Sequence, residues 1–500
     1  MKSPLRLGLL AGFMIVVSLL ASAAALRQHS GSRGEAGVQE TPEAPTYETA
    51  LVAVDAAVTL GTLNNPASYQ NQAGPSSPLG PADLQLVRDL KPQVTRVWSA
   101  PGAYYDSISD RYNYNPASPD GSSVYGYLDQ VTGYSERILM NIDQCKQELM
   151  TTATPQRCRA VLKDGIRHYK QRYPALRWVE IFNEPDRPWE HRANEPRAMT
   201  AAEYYQWYRI GYQLVNEVNS ELQPAVPLGV GGPVTHSFND EYLQEFLDLY
   251  RDDPDPTKRL DFISYHQYQR REDPAAVANE KGLVQGWLRE RGLDEKTPTF
   301  VTEYGVFPGT NSGPSFAADL LTHAAAMATL GYFYVEGGTD MPMHWLFNHS
   351  SNERKSMFVD GLDGAVYPYY NLVQMQRMLK KIRIAASSDA LTPAGLGVNA
   401  LATRDASGVA VLATNYQWTK GNASHGVTVN IKNLPAEFAN RRILVERYLV
   451  DGTTSNYAND PASASLQRVQ RYTLDRTGSV STNFELGPNA MSLLVLTPVN

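Results

Sequence analysis

Short apolar runs recur along the first three-quarters of the chain, each followed by polar turn residues and a longer amphipathic stretch. Runs at Leu51–Val54, Gln93–Trp98, Arg137–Asn141, Trp178–Phe182, Pro227–Val230, Asp261–Tyr265, Thr299–Thr302 and His344–Phe347 have the length and the β-branched or aromatic content of strands. Eight strands alternating with helices predict a (β/α)8 TIM barrel over residues 47–382. The helices begin where such a barrel needs them. Thr200-Ala201-Ala202-Glu203 is a capping box, in which each end satisfies a free backbone N–H. Behind it Tyr204, Trp207, Tyr208, Gly211, Val215 and Val218 share one helical face, a stripe that reads as packing. Pro81 stands where a helix through Leu84, Leu86, Val87 and Leu90 would start.

Past residue 382 the pattern turns β-rich. Val409–Thr414, Val427–Ile431, Arg442–Tyr448 and Met491–Thr497 are separated by turn residues, and residues 383–500 are expected to form an antiparallel β-sandwich domain.

The N-terminus follows neither pattern. Lys2 and Arg6 precede an apolar run from Leu7 to Leu26 that closes on the small residues Ala21 to Ala25. Residues 1–25 read as a signal peptide, with an uncleaved membrane anchor as the alternative. Residues 26–46, rich in Gly, Ser, Glu and Pro, read as a linker. The rest is expected to be exported, periplasmic or secreted. The two cysteines, Cys145 and Cys158, lie close together in sequence, and in an oxidising compartment one local disulfide is their simplest use. With a formal net charge of -7 and no basic block, nucleic acid is not an expected partner. The nine histidines show no metal-ligand spacing. Neither a metal nor an organic cofactor is expected.

Two of the strands end in a carboxyl group. Leu176–Phe182 runs into Asn183-Glu184-Pro185, and Thr299–Thr302 runs into Glu303-Tyr304-Gly305. Residues at the C-terminal tips of barrel strands line the active site. Two glutamates there suit the cleavage of a glycosidic bond, which needs a pair of carboxyl groups flanking it. The acid must hold a proton while its partner is ionised, and these residues alone do not say which is which.

The segments Phe182-Asn183-Glu184-Pro185-Asp186, Val230-Gly231-Gly232-Pro233, Asp261-Phe262-Ile263-Ser264-Tyr265-His266 and Tyr448-Leu449-Val450-Asp451 with Ser455-Asn456, in that order, resemble family 39 of the glycoside hydrolases, within the large clan of retaining barrel glycosidases. The resemblance covers roughly residues 50 to 460. It implies Glu184 as acid/base at the fourth strand and Glu303 as nucleophile at the seventh. It further implies that Arg96 lies close to the nucleophile, that Asn183 binds the sugar 2-hydroxyl, and that His266 and Tyr268 form a His-x-Tyr pattern at the sixth strand. Trp345, at the eighth, would offer a stacking floor to a sugar ring. The expected substrate is a carbohydrate, a polysaccharide such as a bacterial exopolysaccharide, with a β-xylosidase-like exo-enzyme or a non-catalytic carbohydrate-binding protein as alternatives. The stretch Pro101–Tyr134 holds seven tyrosines: Tyr104, Tyr105, Tyr112, Tyr114, Tyr125, Tyr127 and Tyr134. Their rings suit stacking on sugars or a self-packed surface loop equally.

Overall fold

A computed structural model describes residues 47–72, 79–98, 104–106, 109–117, 123–142, 155–188, 197–306, 316–348, 355–418 and 423–500. The N-terminal apolar run and the linker therefore lie outside the described residues, as does Cys145. Cys158 is buried. Among the described residues no helix is long and apolar enough to cross a membrane.

The first strand, β1 (Tyr47–Thr62), does not belong to the barrel. The barrel closes from β2 (Tyr69–Asn71), β3 (Val94–Trp98), β4 (Arg137–Ile142), β5 (Leu176–Ile181), β6 (Gly229–Thr235), β7 (Phe262–Gln267), β8 (Thr299–Tyr304) and β9 (Met341–His344). Every pairing around it is parallel. The expectation that Leu51–Val54 opens the barrel is thus corrected. In β1 only Ala50, Val52, Val54 and Ala56 are buried, and the residues between them are not. That alternation marks a strand with one wet face, whereas a strand inside a barrel ringed by helices is covered on both. The real opening strand spans three residues and carries Gln70 and Asn71, both buried, so it has no apolar signature.

Helices cover the barrel: α1 (Pro81–Leu90), α2 (Val124–Thr132), α3 (Pro155–Arg172), α4 (Ala201–Leu222), α5 (Asp240–Asp252), α6 (Val277–Glu290), α7 (Phe316–Glu336) and α8 (Pro368–Arg377). Pro81 opens α1. The capping box forms at α4: Glu203 N–H donates to Thr200 Oγ1 at 3.2 Å, and Thr200 N–H donates to Glu203 Oε2 at 2.9 Å. Tyr204, Tyr208, Gly211, Val215 and Val218 are buried on its inner face. Gly211 lets α4 lie directly on β5, because a Cβ there would come within 2.5 Å of Ile181.

The second domain is one curled sheet of nine strands. Its members are β1, β10 (Ile382–Ser388), β11 (Gly397–Asp405), β12 (Gly408–Tyr416), β13 (Ser424–Lys432), β14 (Arg442–Val450), β15 (Gln467–Leu474), β16 (Val480–Leu486) and β17 (Met491–Val499). They lie in the order β15-β14-β17-β12-β11-β10-β1-β13-β16. The pairings are antiparallel except β1 with β13, which run parallel. Val52, Val54, Val429, Val445 and Leu494 meet in a single cluster, so the sheet closes on its own core in the manner of a sandwich.

Candidate active site

The site gathers at the C-terminal ends of β3, β5, β7 and β8. Arg96, on β3, is fully buried and bound on three sides. Its Nε–H donates to Glu180 Oε2 at 2.7 Å, Nη1–H to Glu303 Oε1 at 2.6 Å, and Nη2–H to Asn183 Oδ1 at 2.8 Å. The guanidinium also lies over the Trp98 ring, 4.6 Å from its centre. Burial opposes its charge, but Glu180 and Glu303 together outweigh that and raise its pKa further.

After β5 the backbone turns sharply. Phe182 and Glu184 both adopt left-handed conformations, with φ of 66° and 46°. Such strain persists where the surroundings over-determine it, and it clusters at functional sites. Here the surroundings are explicit. Phe182 N–H donates to Ile142 O, and the Asn141 side chain donates to Phe182 O at 2.6 Å. Glu184 N–H donates to Val234 O at 3.0 Å. Asp186 Oδ1 accepts the His236 N–H at 2.8 Å, which ties the turn to the end of β6.

His266, on β7, stands between the two glutamates. Its Nδ1 lies 2.9 Å from Glu184 Oε1 and 3.6 Å from Glu303 Oε2. Burial pushes its pKa down to about 4; Glu303 opposes this and Arg96 adds to it. At neutral pH the ring is uncharged. An uncharged Nδ1 can donate to a carboxylate or accept from a carboxylic acid, so it suits Glu184 in either protonation state. Tyr268 donates its hydroxyl to Glu303 Oε2 at 2.7 Å. Burial, then the charge of Glu303, hold the phenol well above its usual pKa, so it keeps the proton it donates.

Six residues singled out in the sequence thereby meet: hydrogen bonds join Arg96, Asn183, Tyr268 and Glu303 in one set and His266 and Glu184 in another, and the sets approach where His266 Nδ1 lies 3.6 Å from Glu303 Oε2. Trp345 immediately follows β9; it is buried, and its backbone N–H donates to Tyr304 O, next to Glu303. Two members of the site were not foreseen. Glu180 sits inside the apolar run of β5. Lys355 is buried with its ammonium 5.0 Å over the Tyr268 ring, and burial lowers its pKa to about 8 against the opposing pull of Glu303 and Glu184.

His266 Nδ1 and one oxygen from each of Glu184 and Glu303 lie within 4.8 Å of one another. That spacing would admit a cation, but Arg96 and Tyr268 already engage both Glu303 oxygens and Arg96 supplies the positive charge. The arrangement brings two carboxyl groups together around an imidazole, a phenol and a buried guanidinium.

In the aromatic stretch Tyr104, Tyr112 and Tyr114 pack on one another and on α3. Tyr114 stacks on His168 with ring centres 3.8 Å apart and on Tyr104 and Tyr112 at 5.7 and 5.6 Å. The Tyr104 hydroxyl donates to Val161 O on α3.

Among solved structures the fold is shared with a glucosidase from Croceicoccus marinus (16% identity, TM-score 0.66, covering 91% of this chain and 99% of that one). It is shared too with a monomeric β-xylosidase from Caulobacter crescentus CB15 (14%, 0.64, 90% and 100%) and with a GH39 enzyme from Xanthomonas axonopodis pv. citri (14%, 0.63, 93% and 99%). Among curated proteins no sequence matches the chain. The model of glycosyl hydrolases family 39 matches residues 155–285, the stretch from α3 to α6 that holds the Asn183-Glu184-Pro185 turn and His266. Over that stretch the chain is similar to the glycoside hydrolases of family 39.

Proposed function

We propose that the protein is an exported retaining glycosidase that cuts a polysaccharide, such as a bacterial exopolysaccharide, by double displacement. Glu303 attacks the anomeric carbon while Glu184 protonates the leaving oxygen. Glu184 then takes a proton from water as that water releases the glycosyl-enzyme. Asn183 holds the sugar 2-hydroxyl, His266 and Tyr268 position the two carboxyl groups, and Trp345 stacks on a ring. The observation that carries this reading is the closeness of the glutamates: an oxygen of each lies within 4.8 Å of the other across His266. Retaining pairs sit about 5–5.5 Å apart, whereas inverting pairs leave roughly 6.5–9.5 Å for a water. Arg96 on Glu303 supports the ionised role for that residue. Proton NMR of the first-formed product tests the mechanism. The substrate's anomeric configuration should be kept, and initial release of the opposite anomer rejects it.

Export is inferred from the charged start and apolar run of residues 2–26, with anchorage by residues 7–26 as its variant. N-terminal sequencing of the native protein from each cell fraction separates the two. Oxidation of Cys145 and Cys158 to a disulfide belongs to the same reading, and non-reducing peptide mapping checks it. The β-xylosidase and glucosidase of like fold favour a second reading, exo-action on short β-linked glycosides. The sizes of products from a polysaccharide panel decide between the two.

A further inference from the structure

Of the three groups that hold Arg96, Glu180 has no part in the mechanism above. It lies on β5, four residues before Glu184, with its side chain fully buried. One oxygen takes the Arg96 Nε–H at 2.7 Å; the other, Oε1, has no hydrogen-bond partner among the described residues. A carboxylate removed from water and only half satisfied is costly to maintain. A glutamine would fill the same space without the charge.

The charge balance through the reaction supplies a reason to keep it. In the free enzyme the guanidinium stands between two carboxylates, Glu180 and Glu303. In the first step a Glu303 oxygen bonds to the anomeric carbon. The bond to the leaving oxygen breaks, its electron pair goes with that oxygen, and the oxygen takes the proton of Glu184. Glu303 is then a neutral ester, while Arg96 is still charged and still buried. In the second step a water oxygen bonds to the anomeric carbon and its proton passes to Glu184. The ester electron pair returns to Glu303 as a carboxylate.

We infer that Glu180 is a positioning residue that serves as the standing counter-ion of Arg96: it aims the guanidinium at Glu303 and Asn183, and it keeps the buried cation paired while Glu303 is esterified. This rests on the double-displacement reading. It has a consequence that a merely structural role lacks. Removing the Glu180 charge makes the step that neutralises Glu303 harder and the step that restores its charge easier. The two half-reactions therefore change in opposite directions, whereas general loosening of the site slows both.

The probes are 2,4-dinitrophenyl 2-deoxy-2-fluoro glycosides of glucose, xylose, galactose and mannose, in both anomers, whose leaving group needs no help from Glu184. Intact-mass spectrometry and peptide mapping follow labelling of Glu303 and its hydrolytic release. Glu180→Gln, with folding checked by thermal unfolding, should label about 100-fold more slowly than wild type and release the label roughly tenfold faster. Glu180→Asp keeps the charge but withdraws it from Arg96, so it should show the same opposed changes in smaller measure; it carries the test should Glu180→Gln not fold. Labelling and release that slow together in the folded variant overturn the inference while leaving double displacement intact. Wild-type protein that forms no adduct on Glu303 with any probe rejects double displacement itself.

Discussion

The molecule has two buried β-cores made of different chemistry. Where the curled sheet closes on itself, the clustered side chains are Val, Ala, Ile, Leu and Phe. At the C-terminal end of the barrel the buried groups include Arg96, Glu180, Glu184, His266 and Glu303. Both sets are out of water. The first stabilises the fold by burial, at roughly 25 cal/mol per Å² of apolar surface. The second holds ionisable groups whose desolvation is offset by one another and by polar neighbours such as Asn183 and Tyr268, an arrangement that well-packed apolar residues often match or better. On the proposed mechanism, what the barrel mouth gains is not stability but carboxyl groups that change charge state during the reaction. Substitutions in the two cores should therefore separate activity from stability.

The largest expected effect is that of Glu303→Ala. Turnover should fall on the order of 10^4-fold or more with any substrate, activated or not. Thermal stability should hold or rise, because Arg96 keeps Glu180 as a partner. A variant that loses activity and unfolds together would deny that the mouth is kept for function rather than stability. Next is Glu184→Ala, for which a loss of about 10^2- to 10^4-fold is expected with poor leaving groups. Aryl glycosides that need no proton should be largely spared. Equal losses with both kinds of leaving group would mean that the roles of acid and nucleophile are misassigned.

In the sheet core the pattern should invert. Leu494 is buried in β17, and Leu494→Ala should cost about 2–5 kcal/mol of stability through the cavity it leaves. Steady-state rates at a temperature where the variant is folded should match wild type. A matching loss of kcat/KM would show that the two cores are coupled.

Acidification should act mainly through the barrel. His266, His323 and His344 are fully buried, and burial pushes their pKa values down to about 4, 3 and 3. Between pH ~6.5 and those values the unfolded chain takes up protons that the native protein does not. The histidines' contribution is therefore full above pH ~6.5 and declines as the pH falls, by about 1.4 kcal/mol per unit for each, while Glu280 and Asp83, which burial raises to about 7 and 6, partly oppose it. His323, which packs edge-on to Tyr369 on one side and near Gly305 on the other, serves as the probe. Urea unfolding at pH 7 and pH 5 should show a smaller drop for His323→Phe than for wild type. An unchanged drop would assign the acid sensitivity elsewhere.

How much of this was legible in the sequence also divides along the two cores. Seven barrel strands announced themselves by apolar runs, because helices cover their outer faces. The last of them sits three residues earlier than read, at Met341–His344. The first strand did not announce itself: Gln70 and Asn71 are polar although buried, and three residues carry no period. The long β1 drew attention in its place, although the alternation of buried Ala50, Val52, Val54 and Ala56 was there to read as a one-sided strand. Glu184 and Glu303 were visible because each follows an apolar strand and precedes a proline or glycine turn. Glu180 was visible in principle as a lone charge inside such a strand, but its partner, Arg96, is 84 residues away and only the barrel's closure brings them together. Lys355 had no local pattern at all.

The smallest predicted effects come from deleting one hydroxyl in each region. In the mouth, Tyr268 donates to an oxygen of Glu303, and a hydrogen bond to a charged group is worth about 1.5–3 kcal/mol. Tyr268→Phe should lower kcat/KM by roughly 10- to 100-fold. It should barely move the unfolding temperature, since the ring and its packing remain. In the sheet, buried Thr403 of β11 accepts the Lys380 N–H at 2.8 Å and donates to Ala410 O at 3.4 Å, both neutral backbone groups. Thr403→Val takes the partner from the Lys380 N–H and should cost about 1–3 kcal/mol of stability with kcat/KM unchanged. The two variants differ from wild type by nearly the same atoms, so the crossing of their effects isolates location from chemistry. If Tyr268→Phe destabilised the fold as Thr403→Val does while leaving kcat/KM intact, the tyrosine would be packing and Glu303 would owe its placement to Arg96 and β8 alone.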